Sequence, residues 1–164
     1  MWSNLLLSNA APGAFNMYTV SRDLRTFSAA HRLNKGYEGK CKYLHGHSYN
    51  VTVALTAPIL DQYDFVIDFG DIKEMFDNWV QEHWDHVTLV SELDTTLIDF
   101  LKIEKQDYFV IPGQRNTTAE ALAEFLFLKF KDILAQNDKH TNQLKLISVK
   151  LSESEFSHAE YCEG

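Results

Sequence analysis

Apolar and polar residues alternate along three stretches of the chain and recur at helical spacing in two others. Residues 15–33, FNMYTVSRDLRTFSAAHRL, are rich in aromatic and β-branched side chains and predict one long strand with room for a bulge. Residues 34–44, NKGYEGKCKYL, hold two glycines and several charges, the composition of a loop. Residues 45–57, HGHSYNVTVALTA, alternate again, with Tyr49, Val51, Val53 and Leu55 set against Asn50, Thr52 and Ala54. Pro58 and Asp61 mark a turn, and DFVID (64–68) reads as a short strand. From Asp71 the period changes: Ile72, Met75, Phe76, Trp79, Val80 and His83 fall on one helical face, behind a capping-box pair of Asp71 and Glu74. A second helix opens at TTAE, with Thr117 predicted as N-cap and Glu120 at the third helical position. Its apolar stripe runs through Ala119, Leu122, Ala123, Leu126, Phe130, Ile133 and Leu134. Between the helices, residues 87–116 are less regular, with a short helix in DTTLIDFLKIE and a short strand in DYFVI. LKLISVKLSES (144–154) alternates and closes the domain as a strand. Strands and helices do not alternate as βαβ units would require. The order therefore predicts an α+β fold with helices packed on one face of an antiparallel sheet.

Composition narrows the class. At 164 residues, 45% hydrophobic and 23% charged, the chain is the size and polarity of one globular domain. We take residues 14–164 as that domain and 1–13 as a flexible arm before it. A formal net charge of −8 with no basic stripe argues against a nucleic-acid partner. No stretch reaches membrane-spanning length, and the N-terminus lacks the basic start of a signal peptide. Cys41 and Cys162 are too few for a disulfide scaffold and predict reduced thiols in a cytoplasmic protein.

The candidate chemistry lies in KCKYLHGHSYN (40–50). Residues i and i+2 of a strand share a face, so His45 and His47 project side by side. His31 closes the preceding strand, which is expected to pair with 45–57. Three imidazoles with an open fourth position form the ligand pattern of a catalytic zinc site, whereas structural zinc sites are more often closed by cysteines. The alternative on spacing alone is a set of polar groups on an exposed sheet face. Cys41, in a charged loop near those rings, reads either as a reactive thiol or as a small buried hydrophobe.

The segments FSAAHRL, CKYLHGHSYNVTV, VIDFGDIK, WDHVTLV, TTAEALAEFL and KLSESEFSHAEY occur in this order. Together they resemble the 6-pyruvoyl-tetrahydropterin synthase and 6-carboxy-tetrahydropterin synthase family, over about Phe27 to Tyr161. The resemblance implies the tunnelling fold (T-fold), with a four-stranded antiparallel sheet and two helices on one face, assembled as a homohexamer of two stacked trimers. It implies Zn2+ held by His31, His45 and His47, with Cys41 as catalytic thiol. Asp85 and His86 would complete a proton-transfer group with the cysteine of a neighbouring subunit. Glu153 would hold the pterin ring, and Thr118 would contact it. The implied substrate is 7,8-dihydroneopterin triphosphate. Its charge calls for local cations on an acidic protein, for which Arg32, Lys35, Lys40 and Lys42 are the candidates. His83, His140 and His158 receive no role, His83 being expected to pack on its helix face.

Asp85 and His86 are adjacent, and adjacent strand residues face opposite ways, so a pairing between them requires the backbone to turn. Two activities share the scaffold. One forms 6-pyruvoyl-tetrahydropterin by eliminating triphosphate. The other also releases acetaldehyde and forms 6-carboxy-tetrahydropterin, the step toward queuosine. Three residues between Cys41 and His45 resemble the carboxy-forming enzymes, and that lyase is the expectation. The pyruvoyl synthase is the alternative, and a non-catalytic zinc- or pterin-binding module is the alternative of another class. Trp84 stands where that family usually has leucine, Thr117 where it often has proline, and the stretch from His86 to Asn116 is longer than in its compact bacterial members.

Overall fold

A computed structural model describes residues 17–137, 139–140 and 143–163, so the arm expected at 1–13 lies outside the described residues. In chain order the elements are β1 (Tyr18–Asp23), β2 (Phe27–His31), β3 (His45–Ala57), α1 (Phe69–Ile72), a π-helical turn (Lys73–Asp77), α2 (Asn78–His83), β4 (Thr88–Ser91), α3 (Thr95–Ile103), β5 (Tyr108–Ile111), α4 (Ala119–Ala135), β6 (Lys145–Ser152) and β7 (His158–Cys162). A short 3-10 turn, Lys40–Lys42, lies in the loop before β3.

The expected long first strand is two strands that follow one another along β3. Asp23 pairs with Thr52 and Phe27 with Tyr49, so four steps on one strand face three on the other. That extra residue is a bulge. Leu24 N–H bridges it to Val51 O at 2.8 Å, and the Asp77 carboxylate holds Arg25 through its N–H (2.8 Å) and its Nε (2.7 Å). β6 pairs with the other edge of β3, and β7 with β6, both antiparallel.

The sheet is larger than the expected four antiparallel strands. Among the described residues it has seven strands in the order β5-β4-β2-β3-β6-β7, with β1 also on β3. It is mixed, because β4 runs parallel to both β2 and β5. β4 gave no signal in the sequence because all four of its residues are buried and do not alternate. DFVID is not a strand. The Asp61 side chain accepts the N–H groups of Tyr63 (2.8 Å) and Phe65 (2.9 Å), folding the segment into a turn, while Val66 and Ile67 still reach the core.

α1, the π turn and α2 run as one helical body, capped by Asp68 rather than Asp71, with Gly70 N–H donating to Asp68 Oδ1 at 2.6 Å. That body and α4 cover one sheet face. Tyr49, Val51, Val53 and Leu55 of β3 share a core with Phe76, Val80, Leu122 and Phe130. Phe76 and Phe130 stack at 4.6 Å and lock the two helices together. α3 is a third helix, on the opposite face. Leu89 belongs to the main core, while its neighbour Val90 packs with Leu97 and Leu101 of α3. Adjacent strand residues point to opposite faces, which places α3 across the sheet from α4.

Candidate metal centre

The register of β2 and β3 builds the centre. His31 lies directly across from His45, and Ala29 from His47. All three histidines therefore project from the core face, His47 one row and His31 and His45 two rows beyond the Phe27–Tyr49 ring stack at 5.2 Å. The ring centroids are separated by 4.6 Å (His31–His45), 5.1 Å (His31–His47) and 4.9 Å (His45–His47). One ring nitrogen from each lies within 4.8 Å of those of the others, a cluster suited to a metal ion.

The donor set fits such an ion. His31 Nδ1 lies 2.7 Å from Thr117 O, and His45 Nδ1 lies 2.7 Å from Tyr43 O. A carbonyl can only accept, so each Nδ1 carries the proton and each Nε2 presents a lone pair. His31 Nε2 is buried with no hydrogen-bond partner among the described residues. A buried, unpaired acceptor is costly, and a metal ion would satisfy it. Burial pushes the His31 pKa down to about 4, partly opposed by the Thr117 carbonyl and assisted by the two neighbouring imidazoles. The ring is therefore neutral at pH 7, the form in which histidine binds metal.

Five of the expected site residues meet at one cavity of about 230 Å³. His31, His47, Cys41, Thr118 and Glu153 line it, and His158 joins them. Cys41 reaches it from the 3-10 turn, where its carbonyl accepts Leu33 N–H at 2.8 Å. Thr118, not Thr117, caps α4, accepting Ala121 N–H at 3.4 Å. Thr117 is instead fully buried, against His31. Glu153 sits where β6 turns toward β7, its N–H on Ser157 O at 3.1 Å. Tyr49 lies beneath the imidazoles; burial pushes its phenol pKa up, and the Glu153 carboxylate adds to the shift.

Asp85 and His86 are elsewhere. His86 has a φ of 61°, the backbone turn that their pairing requires. Its Nδ1 lies 2.9 Å from Asp85 Oδ2, and Ser28 N–H donates to Asp85 Oδ1 at 2.9 Å. The Ser28 N–H does most to hold the Asp85 carboxyl below its ordinary value; burial opposes it and His86 adds to the lowering. His86 faces a second, open cavity of about 560 Å³ with Ser28, Gly46, Ser48 and Lys105. Cys41 does not line that cavity, so the thiol and the Asp-His pair face different cavities.

Of the cation candidates, Arg32 is already engaged. Its guanidinium forks onto Asp94 through two bonds of 2.7 Å. Lys35 Nζ donates to Gln114 O at 2.9 Å, and Lys42 lies 3.6 Å from Glu38. His83 stacks on Trp79 at 4.6 Å, as expected of a packing residue. Sequence reasoning missed His158 because the short strand carrying it went unread. It also missed Thr117 as a partner of His31, because a backbone carbonyl leaves no residue-type signature.

A family model described as 6-pyruvoyl tetrahydropterin synthase matches residues 19–164. The 6-carboxy-5,6,7,8-tetrahydropterin synthase of Haemophilus influenzae is 30% identical over 153 residues, covering 90% of this chain and 100% of its own. A putative enzyme of the same name from Pyrococcus horikoshii is 32% identical over 155 residues, covering 87% and 91%. Among solved structures, an uncharacterized protein from Wolinella succinogenes superposes with a TM-score of 0.74 at 19% identity, covering 91% of this chain and 99% of its own. The 6-pyruvoyl tetrahydropterin synthase of Caenorhabditis elegans gives 0.64 at 24% identity, covering 92% and 98%.

Proposed function

This chain belongs to the 6-pyruvoyl tetrahydropterin synthase family, and from that premise we propose that it is a zinc-dependent lyase converting 7,8-dihydroneopterin triphosphate and one water to 6-carboxy-5,6,7,8-tetrahydropterin, acetaldehyde and triphosphate. The observation that carries the proposal is the meeting of His31, His47, Cys41, Thr118 and Glu153 at one cavity beside a buried, unpartnered imidazole nitrogen. His31, His45 and His47 would hold Zn2+, which supplies a Lewis acid for the hydroxyl oxygens of the substrate side chain.

The remaining roles belong to the chain's own groups. Glu153 offers two carboxylate oxygens to the amino group and ring N–H of a pterin, two parallel donors on one edge. Thr118 faces the same cavity from the head of α4. Cys41 stands at the cavity wall as the base that removes a side-chain proton. Asp85 orients His86 as the partner acid, which reaches the thiol of a neighbouring subunit in the homohexamer. Lys35, Lys40 and Lys42 are the cations left for the triphosphate, since Asp94 occupies Arg32.

The carboxy product is favoured by curated relatives of that name at 30–32% identity over nearly the whole chain and by the short step from Cys41 to His45. The family model's description favours the pyruvoyl product as a second reading. Mass spectrometry of the products from 7,8-dihydroneopterin triphosphate separates them. Acetaldehyde with 6-carboxy-tetrahydropterin is expected. A pyruvoyl product selects the second reading, and no turnover removes both.

A further inference from the structure

Thr117 is fully buried, yet its hydroxyl caps no helix, since Thr118 holds that position. We propose that the Thr117 side chain is a positioning residue for His31, fixing the ring so that Nε2 is offered to the metal. This inference rests on the reading of the three imidazoles as a metal centre.

Two oxygens of Thr117 face one nitrogen. Its carbonyl accepts from His31 Nδ1 at 2.7 Å, and its Oγ1 lies 3.4 Å from the same atom. The hydroxyl proton is committed elsewhere, donated to Arg32 O at 3.2 Å. With that proton engaged, Oγ1 turns its lone pairs toward Nδ1–H and acts there as an acceptor. The carbonyl cannot donate and the hydroxyl proton is engaged at Arg32 O, so the tautomer with the free lone pair on Nε2 is held from two directions. That is the arrangement in which an outer hydrogen bond sets the orientation and basicity of a ligating histidine.

The Arg32 carbonyl that receives the hydroxyl is itself anchored. The Arg32 side chain makes a two-bond fork to Asp94, each bond 2.7 Å. Asp94 is 5% exposed and caps α3, accepting Leu97 N–H at 3.2 Å. Thr117 therefore ties His31 to a fixed point of the inserted segment as well as to the approach of α4.

Thr117→Val keeps the shape and the backbone carbonyl but removes the hydroxyl. Thr117→Ser keeps the hydroxyl and loses only a methyl group. Zinc affinity is measured for both variants and the wild-type protein by competition with a chromophoric chelator at constant pH. The visible spectrum of each Co2+-substituted protein is recorded alongside. The valine variant is expected to bind zinc about tenfold more weakly and to show a shifted cobalt spectrum, while the serine variant stays near wild type in both. Should the valine variant fail to fold, Thr117→Ala takes its place. Wild-type affinity and an unchanged spectrum without the hydroxyl would overturn the positioning role alone. Equal weakening by valine and serine would overturn it too, by showing that packing decides the affinity. A wild-type protein that takes up neither metal would overturn the metal centre beneath it.

Discussion

His31 has one nitrogen fixed by Thr117 O and the other buried without a partner among the described residues, and its pKa is lowered by burial to about 4. This has a consequence for stability. The folded ring resists a proton that the unfolded ring accepts near its ordinary value of 6.5. Between roughly pH 6.5 and 4 the unfolded state binds more protons, so stability falls as pH falls through that window. Metal-free protein is expected to lose roughly 3 kcal/mol across it, and His31→Asn to flatten the profile. Denaturant melts on chelator-treated protein at several pH values check this, and identical profiles for the two proteins would contradict it. The three-imidazole cluster was legible in the sequence because a strand repeats every two residues: His45 and His47 had to share a face, and His31 ended the paired strand. The role of Thr117 was not legible. Its TTAE context favours Thr117 as N-cap through the capping box with Glu120, whereas α4 is capped by Thr118, which frees Thr117 to face His31.

At the scale of elements, the inserted stretch between α2 and α4 proves to be built into the sheet. It supplies β4, α3 and β5, and Asp94 ties α3 to Arg32, the residue after His31. Burial pushes the Asp94 carboxyl up, but Arg32 and the Leu97 N–H more than offset it, so its pKa lies below the ordinary value. Asp94→Asn keeps a competent helix cap and removes the charge from the fork. It is expected to destabilise the fold by about 2 kcal/mol, read as a lowered urea midpoint; an unmoved midpoint would show the pair to be dispensable. α3 was legible because it keeps a polar side with Asp99 and Lys102, and β5 because its aromatic and β-branched run stops at the Pro112-Gly113 turn. β4 was invisible, since a strand buried on both faces has no alternation to detect. The Asp85–His86 turn was legible only as a conflict between adjacency and pairing. A positive φ at His86 resolves it.

Across the whole molecule, Cys41 and His86 open onto different cavities. If the neighbour's thiol completes each site, two inactive variants rescue one another. Cys41→Ala and His86→Asn proteins, mixed under dissociating conditions and reassembled, are expected to regain roughly a quarter of wild-type activity. That is the fraction of interfaces that pair an intact thiol with an intact histidine on random mixing. No recovery above the separate variants would place the whole reaction within one subunit. The α+β layering was readable from order and period and the T-fold from the family resemblance, but the seven-stranded mixed sheet was not, because parallel pairing depends on where a short buried strand docks.

The most direct test of the central claim is zinc K-edge X-ray absorption on the purified protein. Light scatterers alone at about 2.0–2.1 Å, including three imidazoles, are the expected first shell. Sulfur at about 2.3 Å, or a shell unchanged after His45→Ala, would contradict a centre built from His31, His45 and His47.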